Sequence, residues 1–264
     1  MTGPRAKPPH LAPEYGAQFT DRSVAAAYRA RPPYPDEVFA HLAGLLASRS
    51  APVLELGCGT GDLTLGLAAR VAAVDALEPS AAMLEIARAR APRSANVAWI
   101  AQSAEAFAPR GRYGLVVAAE SLHWMEWSVV LPRISRWLEP GGSLAIVERR
   151  FTGLPWESEV GALIARLSTN RVFRASDLID ELASRALFRE RGRHFTEPIA
   201  FAQSLDDYVE SFHSRNGFSR ERMGAAAADE FDRGVRVAVL AHAPDGIVRG
   251  SLSARLVWGE ALSE

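Results

Sequence analysis

Between residues 52 and 150, short apolar runs alternate with stretches of helical spacing. Val53, Leu54 and Leu56 end in a glycine-rich turn, and residues 61–70 then carry Leu63, Leu65, Leu67 and Ala68 with Gly66 as the one interior breaker. Further strands are predicted at 71–77, 97–101, 113–119 and 143–149, and helices at 80–91 (capped by Ser80), 104–107 and 121–138. Pro132 should interrupt or end the last of these, and Pro140-Gly141-Gly142 should turn the chain into the fifth strand. Residues 113–119 are almost wholly apolar, as suits a strand buried on both faces. Repeated strand–helix units of this kind predict an α/β fold, a parallel sheet with helices on both sides.

The flanks read differently. Residues 1–14 contain four prolines and are expected to be a disordered leader. Phe19, Val24, Ala27 and Tyr28 give helical spacing over 19–30, with Thr20 or Asp21 as cap, until Arg31-Pro32-Pro33-Tyr34-Pro35 breaks it. Pro35 opens a helix over 36–48 whose Val38, Phe39, Leu42, Leu45 and Leu46 share a face. After residue 150, helices are predicted at 156–169, 177–188, 205–213 and 220–242, the last weakened by Gly224 and Gly234, and strands at 194–201 and 247–258. The expected layout is a leader (1–14), N-terminal helices (15–50), an α/β core (51–150), and cap helices with the last two strands (151–264).

Composition narrows the options. The 264 residues are 48% hydrophobic, enough for a sizeable core, and the net charge of −1 gives no basic excess for nucleic acid. The single cysteine, Cys58, cannot form an internal disulfide, and no apolar run is long enough for a membrane span or a signal core. A cytoplasmic protein, monomer or homodimer, is the expectation. Lys7 is the only lysine. The arginines at 166, 171, 174, 185, 189, 191 and 193 are read as surface, among nearby acids. Six scattered histidines show no metal-ligand spacing, so no metal is expected.

The chemistry gathers at Glu55-Leu56-Gly57-Cys58-Gly59-Thr60-Gly61-Asp62. A dinucleotide loop needs G-x-G-x-x-G and a positive field for pyrophosphate. Here the spacing is G-x-G-x-G, Asp62 takes the last fingerprint position, and Glu55 precedes the glycines. Negative charge on both sides favours a cationic or zwitterionic ligand and disfavours a nicotinamide dehydrogenase. Glu55 suits an α-ammonium, and Glu78, 21 positions after Gly57, suits a ribose diol because both carboxylate oxygens accept hydrogen bonds.

Four segments in order resemble the class I S-adenosylmethionine-dependent methyltransferases, small-molecule branch, with ubiquinone-biosynthesis-like and trans-aconitate-like enzymes. Residues 53–61 look like the first cofactor motif, and Glu78-Pro79-Ser80 with Met83-Leu84 like the acid ending strand two. Ala101-Gln102-Ser103-Ala104-Glu105 looks like the adenine-side segment, and Leu138-Glu139-Pro140-Gly141-Gly142 like the turn before strand five. The resemblance implies a Rossmann-like seven-stranded, mostly parallel sheet with an antiparallel last strand, an N-terminal lid, and S-adenosylmethionine as donor, leaving S-adenosylhomocysteine. It implies cofactor contacts from Glu55, Gly57, Cys58, Gly59, Gly61, Glu78, Pro79, Met83, Ser103, Ala104, Glu105 and Glu120. Ser103 stands where many relatives have Asp. Arg31-Pro32-Pro33-Tyr34 is similar to the Pro-Pro-Tyr of adenine-modifying enzymes but lies before the first strand, and reads as a hinge.

Methyl transfer is an in-line displacement that needs a base only if the acceptor must lose a proton. Glu120, Ser121, Leu122, His123 and Trp124 leave the fourth strand at the ligand-binding rim. His123 is the candidate base or substrate orienter. Trp124, Arg149, Tyr28 and Tyr34 are further candidates for the acceptor side. On the cap, His213 and Arg215, with Phe212 and Phe218 near, are the corresponding candidates. The expected function is methyl transfer to a small metabolite at O, N, S or C. A non-catalytic cofactor-binding partner is the alternative, disfavoured by a cap that implies an enclosed acceptor.

Overall fold

The computed structural model of the chain describes residues 6–91 and 96–262. Five strands, β1 (Val53–Leu56), β2 (Val74–Leu77), β3 (Val97–Ile100), β4 (Tyr113–Ala119) and β5 (Leu138–Thr152), pair in parallel in the order 3-2-1-4-5. Residues 139–142 leave the β4–β5 ladder between the pairs Tyr113–Leu138 and Leu115–Ser143, with Gly141 at φ +85°, so the expected turn is a bulge within one long strand. The carboxyl ends of β1, β2, β4 and β5 bring the glycine turn, Glu78, Glu120 and Arg149 to one rim.

The N-terminal segment is built of short pieces: α1 (Pro13–Gly16), α2 (Arg22–Ala27), 3-10 turns at Pro9–Leu11, Ala17–Thr20 and Tyr28–Ala30, then α3 (Asp36–Gly44) after the proline hinge. The expected leader requires correction over its described part. His10 and Leu11 are buried, and the Lys7 ammonium donates to the carbonyls of His123 (3.0 Å) and Met125 (2.9 Å). The prolines set 3-10 and helix starts there, and Leu11 supplies apolar burial. Residues 1–5 lie outside the described residues.

Three helices complete the core: α4 (Asp62–Ala68), α5 (Ala81–Arg90) and α6 (Trp127–Trp137). Strand alternation divides the sheet between two cores. Leu54, Leu56, Val116 and Ile146 face Trp127, Val130, Leu131 and Ile134 of α6. Val53, Leu115, Val117 and Val147 face α3 and α4 through Phe39, Leu42, Leu63 and Leu67. The helix expected over 121–138 starts as a 3-10 turn (Leu122–Trp124), and α6 begins only after Glu126, whose carboxylate accepts from the Ser128 N–H. Pro132 sits inside α6 and does not end it.

Beyond β5 come α7 (Glu157–Leu167), α8 (Leu178–Ser184), β6 (Phe188–Phe195), β7 (Ile199–Ser204), α9 (Leu205–His213), α10 (Arg220–Met223), α11 (Ala225–Leu240) and β8 (Ile247–Ala261). β8 runs antiparallel beside β5, and β6 and β7 share its other edge. The one strand expected at 194–201 is therefore two. At the break, Pro198 has no N–H for the ladder, and the Thr196 hydroxyl, standing in for a backbone carbonyl, accepts the Ala254 N–H. The helix expected to reach 188 stops at Ser184, where Ala186 takes φ +56° and Leu187 and Phe188 turn into the sheet core. Gly224, at φ +77°, divides α10 from α11. α7, α9 and α11 close on their own core of Trp156, Tyr208, Phe212, Phe218 and Phe231, so the cap has its own apolar support.

Candidate functional site

The turn after β1 can be made only by glycine at its tightest points. Gly57 has φ +71°, and a Cβ there would lie 2.7 Å from Ser121 Cβ; Gly59 has φ +56°, with Tyr28 carbon 3.2 Å from such a Cβ. Bare backbone thus faces a cavity of about 300 Å³ between the rim and the N-terminal segment. Glu55 lies in its wall, 1% exposed, its carboxylate accepting the Thr64 hydroxyl at 2.5 Å. Burial pushes its pKa up to about 7, against the Thr64 hydrogen bond and with help from Asp62 and Glu78. Glu78 accepts the N–H groups of Gly59 (2.9 Å) and Ser80 (2.8 Å), one on each oxygen, and burial raises its pKa despite both bonds. Each oxygen keeps a lone pair for a ligand hydroxyl.

Cys58, Pro79, Met83, Ser103, Ala104, Glu105 and Glu120 line the same cavity, as does Gln102 of the expected adenine-side segment. Gly61, at φ +84°, backs onto Trp99 behind the turn. The Glu105 carboxylate accepts the Glu126 N–H at 2.9 Å, which ties it to the start of α6. The indole of Trp124 forms part of the wall.

A second cavity of about 690 Å³ lies beside the first, between rim, N-terminal segment and cap. Phe19, Arg31, Glu120 and Trp124 line both, so they form the wall between the two spaces. Glu120 is the pivot. It takes φ +53°, a conformation costly for a residue with a side chain. Its carboxylate meets Arg31 (3.4 Å) and Arg149 (3.1 Å) and accepts the Arg149 N–H (3.0 Å). Burial alone would raise its pKa; the two guanidinium groups overcome this and hold it near 2. Arg31 also donates to the side chain and the carbonyl of Ser214 on the cap, so one arginine links N-terminal segment, rim and cap.

Several expected acceptor contacts lie elsewhere. The His213 ring is buried, bonded to the Phe218 carbonyl (2.8 Å) and Asp232 (2.6 Å), and faces neither cavity. Its neighbours Phe212, Arg215 and Phe218 line the larger cavity. Arg149 is locked by Glu120, the Pro32 carbonyl and the face of Tyr34 (4.2 Å), so its guanidinium is already engaged. Tyr28 and Tyr34 line the smaller cavity and lie outside the wall of the larger one. His123 does line the larger cavity, packed on Trp124 at 4.6 Å, but burial pushes its imidazole down to about 4, with Lys7 and Arg31 adding to burial and outweighing Glu120's opposing pull. Arg31 and Asn170 had no site role in the sequence reading. The only available signal for Arg31 was its place before Pro32-Pro33-Tyr34.

A parallel sheet in this order, with a glycine turn after its first strand and an acid ending its second, defines a Rossmann-like nucleoside-binding protein. Residues 53–142 match a family described as a methyltransferase domain. The chain is similar to a trans-aconitate 2-methyltransferase of Paracidovorax citrulli, 39% identical over 64% of this chain and 70% of that protein. It is similar also to an uncharacterized methyltransferase of Mycobacterium tuberculosis, 36% identical over 54% of this chain and 58% of that protein, so the match spans under two thirds of that relative. A solved structure from Anaeromyxobacter dehalogenans covers 89% of the chain with a TM-score of 0.60 at 24% identity, which speaks for the fold. The chain belongs to the class I S-adenosylmethionine-dependent methyltransferases.

The smaller cavity fits that cofactor. Bare glycine backbone lets a ligand approach closely, Glu55 is a buried carboxylate with one hydroxyl partner, and Glu78 has acceptor capacity left for a diol. Among the described residues no group of three His, Cys, Asp or Glu side chains is arranged to hold a metal ion, and no helix is long and apolar enough to cross a membrane.

Proposed function

We propose that the protein transfers a methyl group from S-adenosylmethionine to a small organic acceptor in the larger cavity. The observation that carries this is the shared wall. Arg31, Glu120 and Trp124 border both spaces, so a ligand in one meets a ligand in the other there. When bound, the cofactor supplies an electrophilic methyl carbon that needs no further activation. Glu55 would hold the ammonium and Glu78 the ribose hydroxyls, with Ser103, Ala104 and Gln102 beside the base. The N-terminal segment and cap keep bulk water from the reacting atoms, and the rigid wall sets the approach line. Enclosure by the cap supports a small acceptor, as do the names of the trans-aconitate relatives.

Calorimetry with S-adenosylmethionine, S-adenosylhomocysteine and NAD tests the donor side. The two methionine nucleosides should bind and NAD should not; the reverse pattern would defeat the proposal. Incubation with labelled methyl donor and metabolite extracts, followed by mass spectrometry, tests the acceptor side. A chain that binds donor but labels nothing would be the non-catalytic partner instead.

A further inference from the structure

We infer that the larger cavity takes an acceptor with one anionic head and an apolar body, the head held by Arg215 and the body by the aromatic wall of N-terminal segment and cap. This rests on the methyltransferase reading of the same site. Arg215 follows the end of α9 and lines the cavity. Its guanidinium lies 4.3 Å from the Phe212 ring, and its hydrogen bond to Ser211 Oγ, at 3.5 Å, is at the outer limit of such bonds. Among the described residues no carboxylate forms an ion pair with it.

Its surroundings do not supply the missing charge. Arg31 and Arg149 stand near and share the single carboxylate of Glu120, so three guanidinium groups face one acid. Arg171 and Arg174, also on the cavity wall, donate to backbone carbonyls. No acid other than Glu120 is among the lining residues. Arg215 keeps an exposed side, and the groups packed around its guanidinium draw it down to about 10, with Arg31 adding to the effect. An anion from the ligand would complete this set, and a cation would meet repulsion.

Much of the remaining wall is apolar, with Leu11, Phe19, Trp124, Ile164, Phe212 and Phe218, beside the polar His123, Ser168, Asn170 and Asn216. The Asn170 side-chain N–H groups are spent on the His10 carbonyl and the Asn216 side-chain oxygen, and Asn216 donates to the Tyr15 carbonyl, holding the N-terminal segment to the cap. Of the arginines on this wall, Arg215 alone has neither a carboxylate nor a backbone carbonyl as a partner among the described residues, and one such cation beside a largely apolar chamber suits a monocarboxylate with a chain or ring. A tricarboxylate would bring two further charges, for which the wall offers only Arg171 and Arg174, both exposed and already donating to backbone carbonyls.

The test uses the full chain saturated with S-adenosylhomocysteine and titrated with decanoate, methyl decanoate, decylamine and trans-aconitate. Decanoate should bind at least tenfold tighter than its neutral ester and its amine, and tighter than trans-aconitate. Arg215→Gln should weaken decanoate at least tenfold and leave the ester unchanged, and Arg215→Lys should restore part of the loss. S-adenosylhomocysteine affinity reports folding of each variant; if Arg215→Gln does not fold, the wild-type ranking decides. Equal binding of acid and ester, a preference for trans-aconitate, or indifference to Arg215→Gln in a folded variant would overturn the inference while leaving the methyltransferase reading in place. Failure of wild type to bind S-adenosylhomocysteine would defeat the underlying reading itself.

Discussion

The two cavities are opposites in charge and in origin. The smaller is framed by carboxylates, Glu55 and Glu78, on a turn that only glycine can make, and all of it comes from the strand–helix core and the segment laid over it. The larger is framed by arginines and aromatic rings drawn from three separate parts of the chain. A donor carrying ammonium and sulfonium charges suits the first. The second has the reverse sign, so each ligand is repelled from the other's space. Glu120, held between Arg31 and Arg149, stands where the two fields meet.

The largest expected effect breaks the donor side alone. Gly57→Ala forces a side chain into φ +71° and against Ser121. Strain of about 1–3 kcal/mol, together with the displaced turn, should lower S-adenosylhomocysteine affinity by about a hundredfold or more. The melting temperature should fall by roughly 2–4 °C for each kcal/mol lost. Calorimetry and thermal melts check both, and retained affinity would show that the turn does not frame the cofactor.

The donor side was legible in sequence because its residues are local: glycine spacing, Glu55 and Glu78 lie within one strand–helix–strand unit, where geometry follows from chain order. The acceptor side was not. Arg31 became a wall residue only because Ser214, 183 positions away, receives it. His213 and Arg215 sit two residues apart at the end of one helix, yet one turns to Asp232 and the other to the cavity. Arg149 at a strand end looked available for a ligand anion, and Glu120 had already taken it. The leader packed because Leu11 and Lys7 found partners more than a hundred residues on, which no local pattern reveals. The missed strand break at Thr196 has the same cause: a side chain replacing a ladder bond across to β8.

Next in size is a change that should affect both cavities. Glu120→Gln removes the charge shared by Arg31 and Arg149 and leaves two enclosed guanidinium groups uncompensated. Because Glu120 keeps 27% side-chain exposure, the full cost of a broken buried pair is discounted to about 2 kcal/mol. Folding stability should fall by that amount, with a smaller loss of donor affinity, while an anionic acceptor should bind no more weakly to the freed guanidinium groups. Glu120 has its folded pKa lowered to about 2, so its contribution is complete above its unfolded value and is lost as pH falls through that range. The variant's stability deficit should therefore be constant above about pH 5, and a deficit confined to high pH would contradict the ion-pair account.

A pH titration sharpens the contrast on the donor side. Glu55 has its folded pKa raised to about 7, so its carboxyl must lose a proton to meet an ammonium group at lower pH. S-adenosylhomocysteine affinity should rise by about fivefold from pH 6 to pH 7 and level off above about pH 8. Without ligand the sign is opposite: the folded state holds the proton more tightly than the unfolded chain, so Glu55 costs stability as pH rises from about 4.5 to about 7. Glu55→Gln should remove both slopes. A flat affinity profile in the wild type would separate Glu55 from the ammonium.

The smallest expected effect concerns His123. It lines the acceptor cavity, as a base should, but an imidazole held near 4 has little thermodynamic pull on an acceptor proton near neutrality. An anionic acceptor would need no base, because an ionised oxygen already presents the lone pair that attacks. His123→Gln should then change turnover by less than about threefold and leave the pH–rate profile above pH 5 unaltered. Its visible effect should be on acid stability. The unfolded chain takes up a proton near 6.5 and the folded chain only near 4, so wild-type stability falls as pH drops through that interval. The variant should lose part of that slope in denaturant titrations, while a large drop in turnover with a shifted pH optimum would restore His123 as the base and point to an acceptor that arrives protonated.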